Sequence, residues 1–188
     1  MKMKTVKLSD DQKRLLLIIS KFSKPAKYRY EEETWIKKIP LMALIFRGIN
    51  MNILKTYDFS PTLVEYIDTT RFANISKEGE DDIADLRTLE LVQRLKLATS
   101  HYVYVSAYRI TNKGLQYTRS IEKEHHEAVN QLLLCKKCNS QYKIETREDA
   151  PYLICKKCKT AEKVDIFDLE EISYVSKPRF SDIWLPQG

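Results

Sequence analysis

Glycine is nearly missing from this chain. Only four occur in 188 residues, at Gly48, Gly79, Gly114 and Gly188. No two lie close enough to share a phosphate-cradling loop, so both common glycine-rich nucleotide fingerprints are excluded. Long apolar runs are lacking too. The longest, Leu15–Ile19 and Ile39–Phe46, fall far short of the ~18 residues that cross a bilayer. The basic start is not followed by an apolar stretch with a small-residue cleavage site, so a secretory leader is not expected. Asp10, Asp11 and the absence of an early Arg argue against a mitochondrial presequence. No nucleophile–base–orienter set is visible, and little favours an enzyme.

Charge is abundant. Charged residues make up 31% and hydrophobic ones 43%, against a usual charged share of roughly 25%. The chain has the apolar content to fold and carries heavily charged faces. The net charge of +6 is unevenly spread. Residues 1–30 hold nine Lys or Arg against two Asp, and the segment with all four cysteines is also basic. Such segments attract nucleic acid or an acidic protein face, or simply stay solvated.

The cysteines carry the strongest signal. Cys135-Lys-Lys-Cys138 is followed, after sixteen residues, by Cys155-Lys-Lys-Cys158. This is the two-knuckle zinc spacing. A two-residue gap lets both thiolates of a turn point at one ion, and two such turns give a closed tetrahedral site. Four thiolates leave a zinc site with a formal charge of −2, which Lys136, Lys137, Lys156 and Lys157 offset. One structural Zn2+ on Cys135, Cys138, Cys155 and Cys158 is the expected cofactor; a rubredoxin-like iron site has the same spacing. Gln141–Arg147 alternates as a strand, Tyr152–Ile154 leads into the second knuckle, and Val164–Leu169 reads as a third strand. His125 and His126 lie upstream on a predicted helix and are expected to be exposed.

In front of the knuckles, Ile83, Leu86, Leu89 and Val92 fall at helical spacing, with Leu91 and Leu95 continuing the apolar side. Lys96–Thr99 and Tyr102–Ile110 read as strands joined near Ser100-His101. Thr111 or Asn112 caps a following helix, whose seam runs through Leu115, Thr118, Ile121, Val129, Leu132 and Leu133. Nearer the start, Ser9-Asp-Asp-Gln12 reads as a capping box ahead of Leu15, Ile18, Ile19 and Phe22. Pro40 opens a second helix, and Ser60-Pro61 is expected to start a third through Leu63, Ile67 and Phe72.

Leu86-Arg-Thr-Leu-Glu-Leu-Val-Gln-Arg94, a strand pair, and Tyr108-Arg-Ile-Thr-Asn-Lys-Gly114 together resemble the winged-helix core of archaeal and bacterial regulators. With a linker helix and a four-cysteine ribbon behind it, residues 76–170 resemble archaeal transcription factor E and the alpha subunit of general transcription factor IIE. The resemblance implies an α+β chain. It has a helical N-terminal region with a basic arm (1–75), a winged-helix core (76–121), a linker helix (122–134), a zinc ribbon (135–172) and an aromatic tail (173–188).

A DNA-reading winged helix carries its base-contacting residues at the start of its recognition helix. Here Lys77–Asp85 holds one Lys and five acids, which repel phosphates instead of neutralising them. The expectation is a non-enzymatic protein-binding adaptor in a large assembly, with the transcription machinery as the implied setting. Its candidate contacts are Glu80, Asp81, Asp82 and Asp85, with Phe180 and Trp184 in the tail. The alternative is a DNA-binding regulator using Lys2, Lys4, Lys7, Lys136 and Lys156. A structural component of a non-transcription assembly follows the same physics. The expected address is a reducing compartment, nuclear or cytoplasmic, with no membrane partner.

Overall fold

The computed structural model describes residues 7–26, 28, 31–67, 69–98 and 104–167. Among the described residues, five helices and three small antiparallel sheets surround a buried cluster that runs from Leu8 to Ile166. The chain is therefore α+β, as its motifs predict.

Helix α1, Asp10–Phe22, starts at the expected capping box: the Gln12 amide donates to the Ser9 hydroxyl, and the Gln12 side chain accepts from the Ser9 amide. Leu15–Ile19 are all buried. These five consecutive residues make the middle of the helix apolar on every side, so that turn belongs inside, and α1 packs against α2, α3, α4 and α5. Strand β1, Ile36–Lys37, leads into helix α2, Lys38–Asn50, with Pro40 in its first turn.

The predicted third helix is absent. Ser60–Tyr66 and Thr69–Ile75 form a hairpin, β2 and β3, in register from Ser60↔Ile75 to Tyr66↔Thr69. Thr62, Val64, Thr69, Thr70 and Ile75 are β-branched and favour this pleated surface over a helix. Leu63, Ile67 and Phe72, predicted as one helical core stripe, are 58%, 48% and 51% exposed. The region before residue 76 is thus only partly helical.

Helix α3, Lys77–Thr88, is capped by Ser76. It ends earlier than its leucine spacing predicts. Glu90 adopts a left-handed φ of 61°, and Leu91 and Val92 are buried at the start of strand β4, Val92–Ala98. Strand β5 is Tyr104–Ile110, and the sheet order is β1-β5-β4, with Ile36 opposite Tyr108. The expected turn at Thr99-Ser100-His101 lies outside the described residues.

Thr111 caps helix α4, Asn112–Thr118, by accepting from the Gly114 amide. Gly114 is required by space: a Cβ there would sit 2.3 Å from the Leu91 carbonyl oxygen. The single helix predicted from Leu115 to Leu133 is two. Glu122 is extended (φ −60°, ψ 145°), and helix α5, Lys123–Leu133, begins after it. Strands β6 (Lys143–Thr146), β7 (Pro151–Ile154) and β8 (Ala161–Lys163) follow, in sheet order β6-β7-β8. The third ribbon strand precedes the predicted Val164–Leu169. Val164 and Ile166 are core residues, not strand.

Candidate metal centre

Two turns of the same construction build the site. Cys135-Lys-Lys-Cys-Asn-Ser140 and Cys155-Lys-Lys-Cys-Lys-Thr160 each fold back on themselves. The Cys135 amide donates to the Ser140 carbonyl and the Cys155 amide to the Thr160 carbonyl, both at 2.9 Å. Asn139 and Lys159, next to the second cysteine of each turn, take left-handed φ values of 54° and 59°. Glycine adopts that region at no steric cost; this glycine-poor sequence places Asn and Lys there.

The four sulfurs of Cys135, Cys138, Cys155 and Cys158 lie within 4.8 Å of one another, and those of Cys138 and Cys155 are 3.5 Å apart. These separations bracket the edge of about 3.8 Å expected of a tetrahedron with Zn–S bonds of about 2.3 Å. Cys135 and Cys155 are buried, while Cys138 and Cys158 are partly exposed. The Cys158 amide points at the Cys155 sulfur at 3.4 Å, as a thiolate ligand requires. Four sulfurs so arranged can hold one zinc ion. They are the one such group of metal-ligating side chains among the described residues.

Their protonation fits ligation. The Lys137 amide lowers the Cys135 thiol, and the Ser140 hydroxyl lowers Cys138 to about 6. Cys158 is pushed up to about 12, first by its hydrogen bond to Cys138 and then by burial. Cys135 and Cys138 thus favour the thiolate, and Cys158 the thiol. A divalent cation replaces such protons and holds all four as thiolates. Four thiolates also fill a tetrahedral shell, which leaves no open position for substrate.

The ribbon is anchored on the rest of the chain. Arg47 on α2 forms an ion pair with Glu162 on β8 and donates to the Leu132 carbonyl. The Tyr66 hydroxyl donates to the Arg147 carbonyl at 2.6 Å, and the Asn74 amide to the Ile166 carbonyl at 2.8 Å. Phe167 lies on Tyr66, with ring centroids 4.5 Å apart. The hairpin that the sequence disguises as a helix is therefore a wall of the ribbon's seat. The β-branched run at residues 60–75 is the signal that could have found it.

The acidic stretch of α3 is less free than its composition indicates. Asp82 accepts from the Tyr57 hydroxyl at 2.6 Å and from Gln12 at 2.8 Å. Glu80 pairs with Lys38 on α2. Glu78 is held below the usual carboxylate range, first by its own backbone amide and further by the Ser76 hydroxyl, which donates at 3.1 Å. Glu78, Asp81 and Asp85 are the exposed members, with Asp81 paired to Lys77 and Asp85 3.4 Å from the Gln12 side-chain amide. Lys7, Lys136 and Lys156 are exposed. Lys2, Lys4, Phe180 and Trp184 lie outside the described residues.

His125 corrects another expectation. It is 1% exposed, because it shares the buried face of α5 with Val129 and Leu132 at helical spacing. Its ring nitrogens make no hydrogen bond to the described residues, and the Asp10 carboxylate stands 3.5 Å away. His126 is partly buried, with Nε2 3.1 Å from the Thr118 carbonyl.

Fold and site together define an α+β protein organised around a four-cysteine cluster. The chain belongs to the Uncharacterized protein MJ1567 family, whose family model matches residues 11–165. A segment of 98 residues, 52% of the chain, is 33% identical to human integrin alpha-X. The chain spans 8% of that curated relative's length. No helix among the described residues is long and apolar enough to cross a membrane.

Proposed function

We propose that this protein is a non-enzymatic adaptor in which a winged helix and a zinc ribbon form one rigid docking module. The order α1-β1-α2-α3-β4-β5 with sheet order β1-β5-β4 supports a winged helix with the β2–β3 hairpin inserted between its second and third helices. On this reading α3 is the recognition helix. The resemblance of residues 76–170 to transcription factor E and to the alpha subunit of factor IIE favours the transcription machinery as the assembly.

One observation carries the reading: the outward side of α3 exposes Asp81 and Asp85 where a DNA reader needs cations. Such a face complements a basic protein surface. The zinc site is structural, because four thiolates leave no position for chemistry. Native affinity purification tests the proposal. Stable protein partners are expected, and Asp81→Lys with Asp85→Lys releases them. A lone monomer that retards duplex DNA overturns the idea.

The DNA-binding alternative rests on the ribbon's lysines. Lys143 lies close enough to Lys156 to lower its pKa, which marks crowded positive charge. That reading requires affinity that falls steeply with salt and with charge reversal at Lys136 and Lys156.

A further inference from the structure

Beyond the metal centre, an open cleft of about 560 Å³ lies between the C-terminal half of α3 and the start of β4. Trp35, Arg87, Arg94, Gln93 and Thr88 line it. Its size is that of an ordinary small-ligand site. Its lining holds two arginines and no carboxylate, which sets it apart from the acidic start of the same helix.

Arg87, Arg94 and Gln93 each keep a donor for a ligand, beside an indole ring held in place. Trp35 is fixed from outside: the Arg109 guanidinium sits 4.5 Å from its ring, and the indole N–H donates to Glu33 at 3.3 Å. Arg109 itself does not line the cleft. The Gln93 amide is oriented because its Oε1 accepts from Arg109, which leaves the Gln93 NH2 as a donor. Arg94 gives Nε and Nη2 to the Ser106 hydroxyl, at 3.2 and 2.8 Å, and keeps Nη1. Arg87 is exposed, and its guanidinium has no ion pair or hydrogen-bond partner among the described residues.

We propose that this cleft binds a nucleobase bearing a phosphate, with the base on Trp35, its edge accepting from Gln93, and the phosphate on Arg87 and Arg94. An aromatic platform beside arginines is the pattern that holds unpaired bases, and stacking tolerates any base. Arginine's fork suits phosphate oxygens. The oriented Gln93 donor favours a heteroaromatic ring with edge acceptors over the bare ring of a phosphotyrosine. This proposal does not depend on the adaptor reading. The base can come from a free nucleotide or from an unpaired stretch of a strand.

The full-length, zinc-loaded protein is titrated with four probes while tryptophan emission is followed: a twelve-residue thymidylate strand, thymidine monophosphate, inorganic phosphate and a phosphotyrosine peptide. Quenching by the strand or the mononucleotide is expected, and it disappears in Trp35→Phe. Arg87→Ala and Gln93→Leu each weaken binding about tenfold or more, with zinc content and circular dichroism unchanged. Equal affinity for both nucleotide probes assigns the site to free nucleotides; preference for the strand assigns it to single-stranded nucleic acid. No quenching, equal binding of phosphate alone, preference for the phosphotyrosine peptide, or binding untouched by Arg87→Ala and Gln93→Leu overturns the proposal.

Discussion

The Tyr57 hydroxyl donates to the Asp82 carboxylate at 2.6 Å. Burial, followed by that bond, raises the Tyr57 pKa above its ordinary value. Gln12, the residue that closes the α1 capping box, donates to the other oxygen of Asp82. One carboxylate thus joins the start of α1, the segment after α2 and the middle of α3. Tyr57→Phe is expected to destabilise the fold by about 1–3 kcal/mol, the cost of leaving a partly buried acceptor one donor short. Equilibrium urea unfolding measures it.

Gly114→Ala is expected to cost at least about 1–3 kcal/mol, the usual range for an overpacked site. The added Cβ meets the Leu91 carbonyl oxygen at 2.3 Å and an Ile110 side-chain carbon at 2.7 Å. Backbone must move, because a carbonyl oxygen cannot swing aside as a side chain does. A thermal midpoint equal to that of the parent counts against the close approach.

Lys159→Gly is expected to stabilise the metal-loaded protein by roughly 1 kcal/mol, since the left-handed conformation costs an L-residue about 1–2 kcal/mol and the glycine's extra unfolded-state freedom offsets part of that. Asn139→Gly should give less, because Asn tolerates this region better than Lys. Comparison of the two midpoints distinguishes the local backbone effect from the lost lysine charge.

Removing the ion should unseat the ribbon. Elemental analysis is expected to find one zinc per chain, and Cys155→Ser to abolish it. Structural zinc sites contribute on the order of 10 kcal/mol of folding energy at neutral pH, so a chelator should lower the thermal midpoint sharply. Metal-free protein with an unchanged midpoint contradicts a structural role.

Asp11 sets an acid limit. Burial opposes its ionisation, but the Thr56 amide and hydroxyl each donate at 2.7 Å and Arg14 at 2.8 Å, and the net pKa lies below the ordinary 3.8. A lowered folded-state pKa adds stability that is complete above the unfolded value and disappears as pH falls through the folded one. Unfolding free energy should therefore drop below about pH 4. Asp11→Asn should flatten that drop and cost about 3 kcal/mol at neutral pH, as breaking a buried ion pair does.

Local signals were the readable part of the sequence. The knuckle spacing, the Ser9 capping box, the Pro40 helix start and the Thr111 cap each depend on residues within a few positions of one another. Helix α2 and the strand pair before Gly114 were legible from local pattern as well. Errors came where long-range packing decides. Leu63, Ile67 and Phe72 have helical spacing, yet the pairing of Ser60–Tyr66 with Thr69–Ile75 overrides it. His125 reads as polar, but the α1–α5 contact buries it. Asp82 and Glu80 read as free charges because Tyr57, Gln12 and Lys38 are distant in the sequence. The Trp35 cleft was unreadable for the same reason, since its walls come from three separate segments.

Gln141 donates to the Lys21 carbonyl at 3.0 Å and Arg47 pairs with Glu162, which ties α1 and α2 to partners 120 and 115 residues away along the chain. Pairings that distant form late, because the entropy of closing the intervening loop is lost before the contact rewards it. Refolding from denaturant is therefore expected to run slower than in a helical bundle of equal size, with the seating of residues 141–162 as its last event.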